Sequence, residues 1–425
     1  MKSIRFASML NTGFVRSVLL VAGGALVSQG LIVAVTPVLT RLFSPESFGV
    51  LAAFTSVLTI LVALASLKYE LAIPQAKADK HAFEVAVLSF SVLAALGLLA
   101  TFLIVALWMF PWVELPAYCW FIPPGLLFAG AFQIASYVAI RNKDFSGLTA
   151  ANIQRSVVQS ILQVSAGLAA FGSGALILGY VLSQGAAGAK IIRKAFTGRS
   201  VPAKLRLLAL ARKYKRFPVM AAPAALLNAA AMNVSPFVII YAYGVHEAGL
   251  FALAQRAMGV PMAFLGTAIA NVYLSEIPRL VETSPDEVIV FYKRALKTLV
   301  VIGLPIVLGA ALCLFYTVEL LFGSGWSGAA ILMLVLVPMF FGQFVVSPLS
   351  QTLNVIERQD VQLQWDFFRL CVPNLGFLMV ALSGFSFVEA LTSFSVLMFF
   401  MYVMNVVVTF WILKRRQAGI LRVYK

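Results

Sequence analysis

Apolar residues fall into twelve runs, at 15–39, 48–67, 82–109, 117–140, 148–170, 174–192, 217–242, 248–272, 296–316, 327–348, 364–383 and 387–413, separated by polar connections. Each run is long enough, at 1.5 Å per helical residue, to cross about 30 Å of hydrocarbon. The second run shows how the pattern is punctuated. Ser44 can cap a helix whose first residue is Pro45, where a missing N–H is harmless, and Glu46 then favours the positive end of the helix dipole. Residues 48–67 follow without a formal charge, and Lys68, Tyr69 and Glu70 mark the exit. Residues 37–73 therefore read as a helical hairpin inside a membrane, and the whole chain as an all-α polytopic membrane protein with about twelve transmembrane helices.

Composition agrees with the pattern. Of 425 residues 61% are hydrophobic and 11% charged, against about 25% charged in soluble domains, and one soluble core could not hide that much apolar surface. The net charge of +16 suggests nucleic acid until the positions are read. With the N-terminus placed in the cytoplasm, 28 of the 32 basic residues lie on or beside the cytoplasmic face. The opposite connections carry Arg41 against Glu46, Glu114, Glu247, Glu319 and Glu389. That asymmetry is the positive-inside pattern, so the charge records topology, with both termini cytoplasmic, and excludes a nucleic-acid partner. Cys119, Cys313 and Cys371 are scattered singly and read as helix filling. The first run is too long for a signal-peptide core and stays as a span.

The connection after the sixth run carries ten basic residues from Lys190 to Arg216 and divides the chain into a six-helix lobe at 1–192, a basic cytoplasmic linker at 193–216, a second six-helix lobe at 217–413 and a basic tail at 414–425. Inside the linker, Leu205 and Leu208 recur at helical spacing among Lys and Arg, which predicts a short basic amphipathic helix on the anionic inner leaflet. The Glu46-Ser47-Phe48-Gly49 turn is echoed by Glu247-Ala248-Gly249, each following a run that contains a proline, Pro37 and Pro236. The echo, the span count and the central linker predict two pseudo-symmetric lobes, an architecture that places substrate near the midplane.

The stretch RLFSPESFGVLAAF with LKYELAI, and GLFALAQRAMGVPMAFLGTAIANVYLSEI at 249–277, resemble the two signature segments of the Wzx-type polysaccharide and oligosaccharide flippases of the multidrug/oligosaccharidyl-lipid/polysaccharide (MOP) superfamily. Ser47 stands where that family more often has a second acid. The resemblance implies a V-shaped pair of six-helix lobes that moves a lipid-linked oligosaccharide, usually on undecaprenyl diphosphate, to the outer leaflet by alternating access. It places the chain in the bacterial inner membrane, in lipopolysaccharide, capsule or exopolysaccharide assembly, with membrane lipids around it and a polysaccharide polymerase and chain-length proteins as partners.

Candidate chemistry rests on the four basic residues outside the charge count, Arg256, Arg155, Arg369 and Arg41. An arginine facing lipid at mid-depth costs about 2.5–3.5 kcal/mol on insertion scales, so Arg256 should face protein or a cavity, where a guanidinium can hold a diphosphate through paired hydrogen bonds. Gln255 beside it could reach sugar hydroxyls or another helix. Arg155, Gln159 and Gln163 share one helix face and could line a cavity; the alternative is a helix brace. Arg369 follows Asp366 by three residues, so a local ion pair competes with substrate contact. Arg41 lies at the outer boundary and can snorkel. Lys68 and Glu70 suggest an interfacial anchor or a cytoplasmic gate, and Asn228, Asn233, Asn271 and Gln343 suggest helix–helix hydrogen bonds or cavity lining. His81 and His246 lie far apart, which argues against a metal, and no phosphate-binding Gly-Lys-Ser/Thr loop occurs. No cofactor is expected, with a proton or sodium gradient as the candidate energy source, no catalysis, and a monomer. The rival readings are an ion-coupled multidrug or metabolite antiporter of the same superfamily and a membrane polymerase or glycosyltransferase. The deep acids Asp366 and Glu84 are few for the first, and the second lacks a catalytic loop.

Overall fold

The computed structural model describes residues 12–417 except 111, 113, 114, 198, 199 and 201, with side chains set aside at 12–22 and at part of 260–286. Lys2, Arg5, Glu114, Arg199 and residues 418–425 of the tail lie outside the described residues, as do the side chains of Arg16 and Asn271. Every described segment is helix or connection. In chain order the helices are α1 (Thr12–Leu42), α2 (Pro45–Val62), α3 (Asp79–Trp108), α4 (Ile122–Arg141), α5 (Phe145–Leu168), α6 (Gly172–Phe196), α7 (Lys204–Lys213), α8 (Ala222–Asn233), α9 (Ser235–Tyr243), α10 (Val245–Thr283), α11 (Pro285–Phe322), α12 (Gly328–Val335), α13 (Val337–Leu349), α14 (Gln351–Val355), α15 (Gln359–Leu382) and α16 (Phe387–Gln417).

Each of the twelve apolar runs meets a helix or a bent helix pair. Among the described residues, eight helices are long and apolar enough to cross a membrane, or ten counting two bent pairs. The other two runs, at α5 and α10, are helical as well, and the all-α polytopic architecture is as expected. The bends have local causes. The pair α8–α9 turns by 41° and the pair of Ser324–Val335 and Val337–Val355 by 55°; Pro236 and Pro338 stand at the start of each second piece, where the missing N–H removes a bond to the preceding turn. The span expected at 48–67 ends early, at Val62. The chain there tightens into turns, with the Ala65 N–H donating to the Val62 carbonyl at 3.1 Å. Leu67 and Lys68 follow with φ of 48° and 63°, a left-handed pair that keeps the helix from resuming. Helix α5 starts where Asp144 accepts the Gly147 N–H at 3.0 Å and meets Lys194 Nζ at 3.0 Å. The lysine beside it holds this carboxyl below the usual range.

Packing divides the chain into two compact units, one of residues 1–43 and 53–229, the other of 44–52 and 230–425. The division at the linker 193–216 does not coincide with this, because α7 and the first eight residues of α8 pack with the first unit. In that unit α1 packs on α5, α5 on α6, and α4 on both α3 and α6, around buried Phe54, Leu58, Ile134, Leu176 and Ile177. In the second, α10, α11, α13, α15 and α16 enclose Phe251, Leu253, Trp326, Phe377 and Phe394. Leu98, Leu99, Phe102 and Leu103 on α3 and Val301, Leu304, Leu308 and Leu312 on α11 stay exposed, which suits faces turned to lipid.

The first turns of α2 belong to the second unit because they cross the start of α10. A Cβ on Gly49 would collide with the Val245 carbonyl oxygen, and one on Gly249 with the Pro45 carbonyl oxygen. Both obstacles are backbone and cannot rotate away. Glu46 Oε1 and His246 Nδ1 close the crossing at 2.6 Å on its exposed side, and Phe48 packs edge-on to buried Trp326 at 4.9 Å on its inner side. The chain reaches α10 through Gly244, whose φ of 94° glycine adopts without strain.

Gly49→Ala and Gly249→Ala are each expected to destabilise the full-length protein in detergent by about 1–3 kcal/mol, the scale of overpacking a tight contact. Gly30→Ala, with nothing within 4 Å of its added methyl, is expected to leave the melting temperature unchanged or slightly raised. Equal melting of all three variants would refute the crossing.

Candidate functional site

Arg256 follows the start of α10 by eleven residues, hence about 16 Å along the helix axis. It is half-buried, and its guanidinium carbon lies 5.8 Å from the centre of the Phe48 ring. The two signature segments thus meet: Phe48 of the first lies against Arg256 of the second, and also against Trp326, in the turn after α11. A guanidinium over an aromatic face gains about 0.5–1 kcal/mol. Gln255 is half-buried beside it.

Arg155 holds a comparable position in the first unit. Half-buried on α5, it lies 5.1 Å over the Phe132 ring and donates to Gln184 Oε1 at 3.5 Å. Gln159 and Gln163 depart from the cavity stripe expected of them. They are 4% and 2% exposed; Gln163 donates to the Leu176 carbonyl at 2.8 Å, and Gln159 to Gln163 at 3.4 Å. Gln163 thus braces α5 against α6 with Gln159 behind it on the same helix, since a buried amide must find partners, and of the three residues in the stripe only Arg155 stays accessible.

Arg369 is 6% exposed. It donates to Asp366 Oδ1 at 2.8 Å and stacks 4.5 Å over Trp365, whose indole N–H donates to the Met401 carbonyl at 2.8 Å. This is the local ion pair that the three-residue spacing allowed. Arg41 is exposed in the last turn of α1, where a cation suits the helix dipole. Asn233 is half-buried at the end of α8, beside the bend.

Glu70 corrects the expectation of an interfacial anchor, for it is fully buried. The left-handed turn at Leu67 and Lys68 throws the chain back into a short 3-10 turn, Tyr69–Ala72, and delivers the carboxylate inside the first unit. There it accepts from the Ser66 hydroxyl and from Gln133 Nε2 at 2.6 Å, with Lys68 Nζ at 3.7 Å. Gln133 and Gln184 went unnoticed in the sequence, although a lone glutamine in an apolar run is the signal that could have marked each. His81 meets Tyr214 at 2.9 Å and Glu84 at 3.4 Å. Among the described residues no three His, Cys, Asp or Glu side chains gather as a metal site would require.

Arg369→Met is expected to destabilise by about 3–5 kcal/mol, because it strands the Asp366 carboxylate in the core. The double variant Asp366→Asn/Arg369→Met should recover much of that loss. Arg256→Met, half-exposed, should melt near the wild type. Thermal unfolding of the three in one detergent checks the order, and a milder effect at Arg369 than at Arg256 would remove the structural role given to Arg369.

Several solved structures share this fold. An inward-facing MATE-family multidrug resistance transporter of the MOP superfamily matches with a TM-score of 0.70 at 16% identity, over 92% of this chain and 95% of that one. The lipid II flippase MurJ in an inward closed conformation matches with a TM-score of 0.70 at 14% identity, over 93% and 87%. An outward-facing MATE transporter matches with a TM-score of 0.58 at 15% identity, over 96% of each chain. No curated protein matches by sequence. The profile of one family, described as polysaccharide biosynthesis protein, aligns with residues 38–331, from the end of α1 through both signature turns to α12. With most of its length aligned, the chain belongs to the polysaccharide biosynthesis protein family, and it is a multi-pass membrane protein with a MATE- and MurJ-like helical fold.

Proposed function

We propose that this protein is a flippase that carries an undecaprenyl-diphosphate-linked oligosaccharide across the bacterial cytoplasmic membrane, from the cytoplasmic to the outer leaflet, for surface polysaccharide assembly. The observation that carries the reading is Arg256, a guanidinium held about 16 Å inside α10 by the Phe48 ring, within the stretch that matches the family. A diphosphate needs such a bidentate cation away from bulk water, where its hydrogen bonds are strongest. Arg155 is the second candidate contact, from the first unit, and Gln255 and Asn233 are candidates for the sugar hydroxyls. The lipid tail stays in the bilayer while the head group crosses, so the work is transport, with no covalent step. The proposal includes cytoplasmic termini, a monomeric working unit, coupling to a proton or sodium gradient, and polymerase and chain-length proteins as downstream partners.

A second reading, an ion-coupled antiporter for drugs or metabolites, is favoured by the likeness to MATE transporters. Against it stand the two most deeply buried acids described, Glu70 and Asp366, which are engaged by Gln133 and Arg369 of the same chain. Complementation of a strain lacking the gene separates the readings. Arg256→Ala is expected to lower glycan display about 10- to 100-fold, the equivalent of charge-assisted bonds of about 1.5–3 kcal/mol, and Arg256→Lys less. Full display by the alanine variant at normal protein level would remove Arg256 from the substrate. Export of a drug but not of a diphosphate glycolipid by reconstituted vesicles would establish the antiporter instead.

A further inference from the structure

The linker helix α7 has two faces, and only one packs against the described residues. On the inner face Leu210 is 2% exposed and packs against Tyr69 and Leu88, with Leu207, Ala211 and Tyr214 around them. Polar contacts pin the same side: Arg206 Nη2 to Glu84 Oε2 at 2.9 Å, His81 Nε2 to the Tyr214 hydroxyl at 2.9 Å, and the Tyr69 hydroxyl donating to the Ala211 carbonyl at 3.3 Å. The outer face carries Leu205, Leu208 and Arg212, spaced by three and four residues so that they line one side of the helix, with Lys204 at its edge. Leu205 is 81% and Leu208 51% exposed. Because the inner face is already docked, α7 cannot turn these leucines inward without breaking the Arg206 and Tyr69 contacts.

Position tells what covers them. Leu88, against which α7 packs, lies nine residues beyond Asp79, hence about 14 Å along α3 and within its apolar run. The chain after α7 resumes an apolar segment at once, with Val219 and Met220 exposed at 70% and 66%. The helix therefore lies level with the edge of the hydrocarbon, where no soluble partner could cover the leucines without displacing lipid. The local charge has one sign: the segment from Lys190 to Arg216 contains ten basic residues and no acidic one.

We infer that the outer face of α7 is a binding surface for anionic phospholipid. Leu205 and Leu208 enter the boundary between acyl chains and head groups, and Lys204 and Arg212 hold the lipid phosphates, as in other basic amphipathic helices lying in an interface. Fixed at its inner face to Tyr69 and Glu84, α7 ties the cytoplasmic ends of α2 and α3 to the charge of the leaflet.

The test uses the full-length chain with Cys119, Cys313 and Cys371 replaced by alanine and Leu208→Cys carrying a polarity-sensitive fluorophore. It is reconstituted in phosphatidylcholine vesicles with or without about one-third phosphatidylglycerol. Emission should shift to the blue, and become quenchable by brominated acyl chains, when phosphatidylglycerol is present, and the shift should fade in high salt. Adding Lys204→Gln and Arg212→Gln should weaken the phosphatidylglycerol dependence roughly thirtyfold, about fivefold per charge. Identical emission in the two vesicle types, whether wet or buried, overturns the inference. That comparison needs no charge variant, so poor folding of the glutamine variants would not obscure the result.

Discussion

Two helix starts cross at a point where neither has a side chain, and the second unit is built outward from that crossing. Gly49 and Gly249 bring the α2 and α10 backbones so close that a methyl group on either would meet a carbonyl oxygen. Close approach is what membrane helices gain from small residues, since lipid offers no hydrophobic drive to association and packing must supply it. Here it also sets register. With the glycines in place, Phe48 can reach Trp326 and Arg256, and Glu46 can reach His246. The short Glu–Gly echo between the two halves thus corresponds to one contact viewed from both of its sides.

Buried hydroxyls mostly bond the carbonyl one turn back in their own helix, as Ser28, Ser89 and Ser156 do, and a smaller set of polar residues joins one helix to another. Gln163 reaches the α6 backbone, Trp365 the α16 backbone, and Tyr273 meets Thr352 at 2.6 Å. An unpaired polar group away from water costs about 1–3 kcal/mol, so these positions are filled by whatever neighbour completes the bond. The functional candidates differ in their surroundings: Arg256 and Arg155 rest on aromatic rings and remain half-exposed. Arg369 lacks that property, being enclosed with its own carboxylate partner. Depth along a helix does not separate these arginines; the surroundings of the guanidinium do.

The end of the first unit that carries α7 follows a different logic. The left-handed turn at Leu67 and Lys68 keeps α2 from resuming, buries Glu70 against Gln133, and leaves Tyr69 to receive α7. The linker helix α7 is no free tether: Leu210, Arg206 and Tyr214 hold it, which makes it part of the first unit and leaves Leu205 and Leu208 exposed.

The sequence by itself determined the class and most of the architecture. Run lengths are dictated by bilayer thickness, the Lys and Arg distribution by topology, and the turn residues Ser44, Pro45 and Glu46 by backbone chemistry, all of them local or additive signals. It also placed Arg256 and the Asp366–Arg369 pair, since helical spacing alone brings the latter within reach. Only the tertiary structure decided that Gln163 is a brace with Gln159 behind it, that Glu70 is buried with a partner 63 residues away, and that α7 belongs to the first unit. It decided, too, that Gly49 and Gly249 meet. These outcomes depend on which helix lies beside which, and one-dimensional periodicity specifies the face of a helix without naming its neighbour.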